Sequence, residues 1–259
     1  MAQKKKENAV VVSQQRLADG IYDLHLKTDM AQDAVCGQFV GVYPKNQSTL
    51  LPRPISICEV DRDKNELRLV YRVAGSGTSE FSRLKEGDTV ELLGVLGNGF
   101  PTGEAKPGMK ALLFGGGIGV PPILQLAKEL SCEKLIVPGY RDSQCFLKED
   151  FEKYGTVYTA TEDGSVGTKG NVLDAVRENG LKADIIYACG PMPMLRAIKQ
   201  YAIEQDIPAY ISLEERMACG VGACLGCVCK TAKKDHHSHV NNARICTDGP
   251  VFEAREVEI

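Results

Sequence analysis

Residues 217–229 read Met-Ala-Cys-Gly-Val-Gly-Ala-Cys-Leu-Gly-Cys-Val-Cys, and a further cysteine follows in Arg244-Ile245-Cys246-Thr247-Asp248-Gly249-Pro250. Taking Cys219, Cys224, Cys227 and Cys246 gives C-x4-C-x2-C with a distant fourth cysteine, the plant-type [2Fe–2S] spacing. Two bridged irons need four thiolates at set positions, and one loop must bend around the cluster to supply three. Gly220, Gly222 and Gly226 allow that bend and let backbone N–H groups come near the sulfurs without Cβ clashes. A zinc ribbon presents two C-x2-C pairs, and here only Cys224/Cys227 forms one. Buried thiols alone leave the threaded glycines unexplained. Cys229 is an alternative to Cys227, although the 4+2 spacing makes it a spare. His236, His237 and His239 read as an exposed loop between the third and fourth cysteines and take no role.

Two groups of segments point to nucleotide chemistry. Arg53-Pro54-Ile55-Ser56 places a guanidinium and a hydroxyl at one strand end, within reach of a diphosphate and an isoalloxazine edge. Val70-Tyr71-Arg72 ends a later strand, and Gly77-Thr78 opens a short helix whose free N–H groups favour pyrophosphate. Tyr71 suits either a ring or ribose contact or an ordinary strand position. Together these pieces lead to the expectation of FAD.

The second group is Gly115, Gly116, Gly117 and Gly119, which lie between an apolar strand and Pro121-Pro122 at a helix start. Val120 stands where G-x-G-x-x-G needs its last glycine, so the strict fingerprint is missing. Cys189-Gly190-Pro191 is another strand end, turn and helix start. Two such turns at the carboxyl ends of parallel strands define one crevice, here for NAD(H). Cys189 either approaches a nicotinamide or is a small buried hydrophobe. Arg141 either meets a 2′-phosphate or makes a surface ion pair, which leaves NADH against NADPH open. No base is grouped with a nucleophile, so no catalytic residue is assigned.

The elements that must hold these groups fall into three parts. Short strands (Val10–Arg16, Ile21–Thr28, Phe39–Tyr43, Pro54–Val60, Leu67–Val73, Thr89–Leu96), with one helix at Phe81–Leu84, imply an antiparallel flavin-binding β-barrel over 1–103. Strands then alternate with helices, Leu147–Tyr154 among them, implying a parallel-sheet α/β nucleotide-binding domain over 104–206. Residues 207–259 form the C-terminal [2Fe–2S] ferredoxin-like domain. The fold class is thus multidomain β plus α/β.

Composition bounds the function. With 259 residues, 31 Lys+Arg, 34 Asp+Glu and a net charge of −3, the chain lacks the clustered positive charge of a duplex nucleic-acid binder. It has no run of about 20 apolar residues to span a bilayer. The apolar stretch Ala9–Val12 is too short for a signal peptide, so a cytoplasmic protein is expected. Its ten cysteines then point to metal or redox chemistry rather than disulfides.

In this order, the motifs resemble the ferredoxin–NADP⁺ reductase superfamily. With the C-terminal cluster added, the whole chain resembles the electron-transfer subunits of the dihydroorotate dehydrogenase B family. The resemblance matches Arg53–Ser56, Val70–Arg72 and Gly77-Thr78 to FAD, and Gly115–Gly119 and Cys189–Pro191 to the nicotinamide nucleotide. It assigns the cluster to Cys219, Cys224, Cys227 and Cys246. Val70 in place of a leucine, Cys229 and the histidine loop are departures. The resemblance implies NADH, a role in pyrimidine biosynthesis, and a separate FMN-bearing catalytic subunit that oxidises dihydroorotate, two copies of each. A reductase subunit for a hydrogenase, a sulfide-linked enzyme or a ferredoxin oxidoreductase is the rival within the same chemistry. A non-catalytic zinc or redox-sensing module is the rival outside it, and a visible spectrum separates the two.

Overall fold

In the computed structural model, which describes residues 4–46, 48–234 and 240–259, six antiparallel strands close a barrel. His236, His237 and His239 lie outside the described residues. The strands are β1 (Lys5–Ala18), β2 (Ile21–Lys27), β3 (Phe39–Tyr43), β4 (Arg53–Asp61), β5 (Glu66–Arg72) and β6 (Thr89–Leu96), in the spatial order β1-β2-β5-β4-β3-β6. Alternation turns Leu24, Leu26, Val40, Val42, Leu67, Leu69, Tyr71 and Leu92 inward to fill the barrel. Gly20 makes the β1–β2 turn in the left-handed region that an L-residue resists.

The helix expected at Phe81–Leu84 lies earlier, as α1 (Ser76–Phe81). Thr78 Oγ1 accepts from the backbone N–H of Ala74 and Gly75, at 2.9 and 3.1 Å, and starts the helix there. The chain then turns through Ser82–Leu84.

The second sheet is built on β7 (Lys110–Gly116), β8 (Glu133–Tyr140), β9 (Thr156–Val157), β10 (Ala160–Thr161), β11 (Thr168–Lys169), β12 (Ile185–Cys189) and β13 (Ala209–Ser212). It is covered by α2 (Pro121–Glu129), α3 (Lys148–Phe151), α4 (Val172–Glu178) and α5 (Met192–Glu204). The helix expected over Leu147–Tyr154 shortens to α3, with Leu147 left-handed at φ 66° just before it. The order β11-β10-β8-β7-β12-β13 places β7 and β12 side by side where the winding reverses.

From the C-terminal stretch come β14 (Val228–Thr231), β15 (Asn242–Arg244), β16 (Val251–Glu253) and β17 (Val257–Glu258). Strands β14, β15 and β17 form a small sheet of their own, whereas β16 pairs antiparallel with β13. Ser212 faces Val251, and Leu213 N donates to Pro250 O at 2.9 Å. The cysteine-bearing residues 213–250 are therefore an excursion whose two ends are held side by side by the nucleotide sheet.

Two apolar clusters join the parts. Ile21, Cys58 and Val70 of the barrel pack with Val120, Ile123 and Leu124 beside the glycine turn. Buried Gln125 accepts from Val60 N at 2.8 Å. Phe39, Leu93 and Leu96 share a cluster with Cys227, Ile245, Cys246 and Phe252. No helix among the described residues is long and apolar enough to cross a membrane.

Candidate functional site

All ten cysteines are free thiols. Within the excursion, the Val221 and Cys224 backbone N–H groups donate to Cys219 Sγ, and Gly226 N–H donates to Cys224 Sγ, each at 3.4 Å. Gly220, Gly222 and Leu225 take left-handed φ values of 66°, 84° and 55°, which turn these N–H groups inward. Burial works against ionisation of Cys219, yet these donors and the Cys224 thiol bring it down to about 6. Burial, and then the neighbouring Cys227, push Cys246 up to about 12.

The Cys224 N–H bond to Cys219 Sγ sets those two residues side by side, and the Ile245 N–H bond to Cys227 O at 2.9 Å brings the Cys246 turn against Cys227, giving two pairs. Among the described residues, no three His, Cys, Asp or Glu side chains gather tightly enough for a single metal ion. Two pairs suit a two-iron cluster, in which each iron takes two thiolates and the N–H donors offset sulfur charge. A cluster held by Cys246 would take it as the thiolate. Cys229 lies in β14 opposite Ala243, packed on the apolar core, and burial raises its pKa.

The cluster loop rests on the barrel. A Cβ on Gly220 would lie 3.0 Å from Leu96 Cδ1, so the loop backbone touches the end of β6. Leu96 faces Phe39 in β3, and Phe39 faces Ser56 in β4. The Arg-Pro-Ile-Ser strand is thus two strands from the cluster mount.

Arg53 donates to Leu51 O and lies against the first turn of α1, where a Cβ on Gly77 would lie 2.7 Å from its Nε. This brings Arg53 together with Gly77 and Thr78, whose first-turn N–H groups have no partner within the helix. The Thr78 hydroxyl is already committed to the cap. Tyr71 takes the ordinary strand position: its ring is buried in the barrel, stacked on Tyr22, and its hydroxyl donates to Gln14 Oε1 at 2.9 Å. Its side chain serves the core, so only its backbone is available to a ligand. Val70 likewise packs between the domains, whereas Arg72 is exposed at the strand end.

The two glycine turns meet. A Cβ on Gly119 would overlap Cys189 O, and one on Gly116 would lie 2.9 Å from Pro191 Cδ. One on Gly115 would lie 2.8 Å from the Val120 backbone. The missing sixth-position glycine is therefore offset by contact between the two turns. Cys189 faces Gly115 on one side and Ser212 on the other, and burial pushes its thiol up to about 12. Arg141 is exposed just past the end of β8.

Sequence reasoning passed over three residues beside the cluster. Asp248 accepts from Arg244 Nε and Nη2, each at 3.1 Å, and closes the turn around Cys246. Asn98, just after β6, bonds that same turn. The only available signals were Gly97-Asn98-Gly99 at a strand end and Asp-Gly-Pro after the last cysteine, and both read as ordinary turns.

Residues 214–258 match the iron–sulfur cluster binding domain of dihydroorotate dehydrogenase B, and residues 113–200 match an oxidoreductase NAD-binding domain. Among solved structures, a chain of the NADH-dependent reduced ferredoxin–NADP oxidoreductase superposes with a TM-score of 0.85 at 27% identity, over 96% of this chain and 89% of that one. A ferredoxin NADP⁺ reductase from Neisseria gonorrhoeae, with bound FAD and NADP, shares the fold at a TM-score of 0.65 and 14% identity, over 78% of this chain and 92% of that one. The dihydroorotate dehydrogenase B (NAD(+)) electron transfer subunits of Geobacillus sp. and Bacillus mycoides are 43% and 46% identical, each over 98% of both chains. The chain belongs to the family of dihydroorotate dehydrogenase B electron transfer subunits.

Proposed function

We infer that this chain is the electron-transfer subunit of an NAD-dependent dihydroorotate dehydrogenase complex in pyrimidine biosynthesis, an oxidoreductase subunit that carries FAD and a [2Fe–2S] cluster. It relays electrons between a partner's FMN and NAD⁺. The observation that carries this reading is the mounting of all three candidate sites on one barrel. Gly220 of the cluster loop rests on Leu96, Arg53 opens β4, and Arg72 at the end of β5 meets Gly117 of the nucleotide turn.

When bound, FAD accepts a hydride and a [2Fe–2S] centre moves single electrons, so together they join two-electron to one-electron chemistry. The residues of the chain supply binding and geometry. Arg53 and the first-turn N–H groups of α1 hold the flavin diphosphate. The glycine turns at 115–119 and 189–191 pack against each other without side chains between them, and the nicotinamide dinucleotide binds at the crevice they edge. Cys219, Cys224, Cys227 and Cys246 hold the irons. Exposed Val221 and Leu225, the latter 65% accessible, give the cluster end an apolar rim suited to docking the FMN-bearing subunit. We assign domains of 1–103, 104–206 and 207–259, and two copies of each subunit.

Separate expression and co-expression with that subunit test the reading. The chain alone should reduce artificial acceptors with NADH, and only the complex should couple dihydroorotate oxidation to NAD⁺ reduction. Dihydroorotate turnover by the pure chain, or none by the complex, would overturn it.

A further inference from the structure

Both cysteine-bearing stretches are seated on the carboxyl end of β6. Gly220 packs on Leu96, and the turn after Cys246 packs on Gly97 and Asn98. Gly97 has φ +75°, and a Cβ there would lie 2.5 Å from Pro250 Cδ and 3.0 Å from Gly249 O. Asn98 then bonds three successive carbonyls. Its Nδ2 donates to Thr247 O at 3.2 Å and to Asp248 O at 3.0 Å, and its backbone N–H donates to Gly249 O at 2.6 Å.

The bonds of the turn itself have a different role. The N–H groups of Thr247, Asp248 and Gly249 all donate to Arg244 O, and the Asp248 carboxylate clasps the Arg244 side chain. These contacts shape the turn without attaching it to the barrel. Asn98 supplies hydrogen bonds that attach it, beside the packing of Pro250 on Gly97 and of Ile245 and Cys246 on the Phe39–Leu96 cluster. Strand β6, which ends at Leu96 just before Asn98, stands two strand spacings, roughly 10 Å, from the β4 strand that carries Arg53–Ser56.

We propose that Asn98 is a positioning residue for electron transfer between flavin and cluster, pinning the Cys246 turn to the barrel and so setting the separation of the two centres. This rests on the reading that the barrel holds FAD and the four cysteines hold the cluster. NADH gives up two electrons as a hydride and leaves as NAD⁺. The hydride would reduce the flavin, which would pass one electron to the cluster and the second only after the cluster had handed the first on to the partner's FMN or an added acceptor. No heavy-atom bond forms or breaks in that transfer, so its rate depends on how the two centres are held.

The test uses the full chain with both prosthetic groups, as Asn98→Ala and as the near-isosteric Asn98→Asp, which removes the side-chain donor. Flavin and iron content, the electron paramagnetic resonance spectrum of the reduced cluster, and the rate of flavin bleaching by NADH should match the parent. Reduction of the cluster in a single turnover should slow by about tenfold or more, as small misplacements of reacting centres do. Amide hydrogen exchange over residues 246–250 should quicken. Cluster reduction at the parent rate in both variants would overturn the proposal. Loss of flavin or cluster from both would also overturn it, by making Asn98 a structural residue. Failure of NADH to bleach flavin in the parent chain would instead sink the functional reading.

Discussion

Arg72, the last residue of β5, holds its Nη2 3.3 Å from the point that a Cβ on Gly117 would occupy. The barrel arginine and the nucleotide turn therefore face each other across the domain junction. Gly117 also has φ 52°, a backbone that costs an L-residue about 1–2 kcal/mol. Gly117→Ala should raise the KM for NADH several-fold, because a turn that relaxes out of this backbone no longer faces Arg72 as the parent turn does. Flavin and iron content should stay at parental levels, and steady-state kinetics with an artificial acceptor would check this.

The pairing of the thiols makes the ligand set testable. Cys224→Ser should remove the cluster signal, because the loop would then offer two thiolates where three are expected. Cys229→Ser should keep it, since that thiol packs on the core in β14. Visible and paramagnetic resonance spectra of both variants, with flavin as the internal reference, decide the matter. A bleached Cys229→Ser protein beside an intact Cys227→Ser protein would reverse the assignment.

Arg53 lies against Gly77 in the first turn of α1, and in the proposed function it holds the flavin diphosphate there. Charge-assisted hydrogen bonds are worth about 1.5–3 kcal/mol each. Arg53→Ala should therefore weaken flavin retention by roughly tenfold to a hundredfold. Flavin content after exhaustive dialysis measures the loss, and an unchanged content would remove Arg53 from the site.

Acid should loosen the junction between barrel and nucleotide domain. Burial works against the charge on Asp23, but hydrogen bonds from His25, Arg68 and Gln15 hold its carboxyl down at about 2. Arg68, itself only 12% exposed, also pairs with Glu59 and reaches Asp150 beyond the junction at 3.1 Å. A depressed carboxyl stabilises the fold fully above its unfolded value near 4, and that contribution fades as pH falls from about 4 through 2. The amount is about 2–3 kcal/mol. Asp23→Asn should lower the denaturation midpoint at pH 7 and flatten its fall between pH 4 and 2, as urea titrations at several pH values would show.

Much of this protein is legible in the order of its residues. Cysteine spacing with interleaved glycines specifies the cluster loop, because three of its four cysteines lie in one short stretch. Alternating apolar positions mark the barrel strands, and Asp19-Gly20 marks the turn between the first two. Local pattern also placed Arg53 and the glycine turns at element ends, where ligands meet backbone N–H groups. What the pattern left open was direction and distance. Tyr71 stands in a motif that reads as a ligand, yet alternation along β5 turns its ring into the barrel. Residues 207–259 read as a separate unit, yet β13 and β16 within them pair with each other and join the nucleotide sheet. Asn98 and Asp248 are 150 positions apart in the chain, and only closure of the barrel and return of the chain through β16 bring them to 3.0 Å. Contacts of that range depend on loop closure over the whole chain, and no local periodicity encodes them.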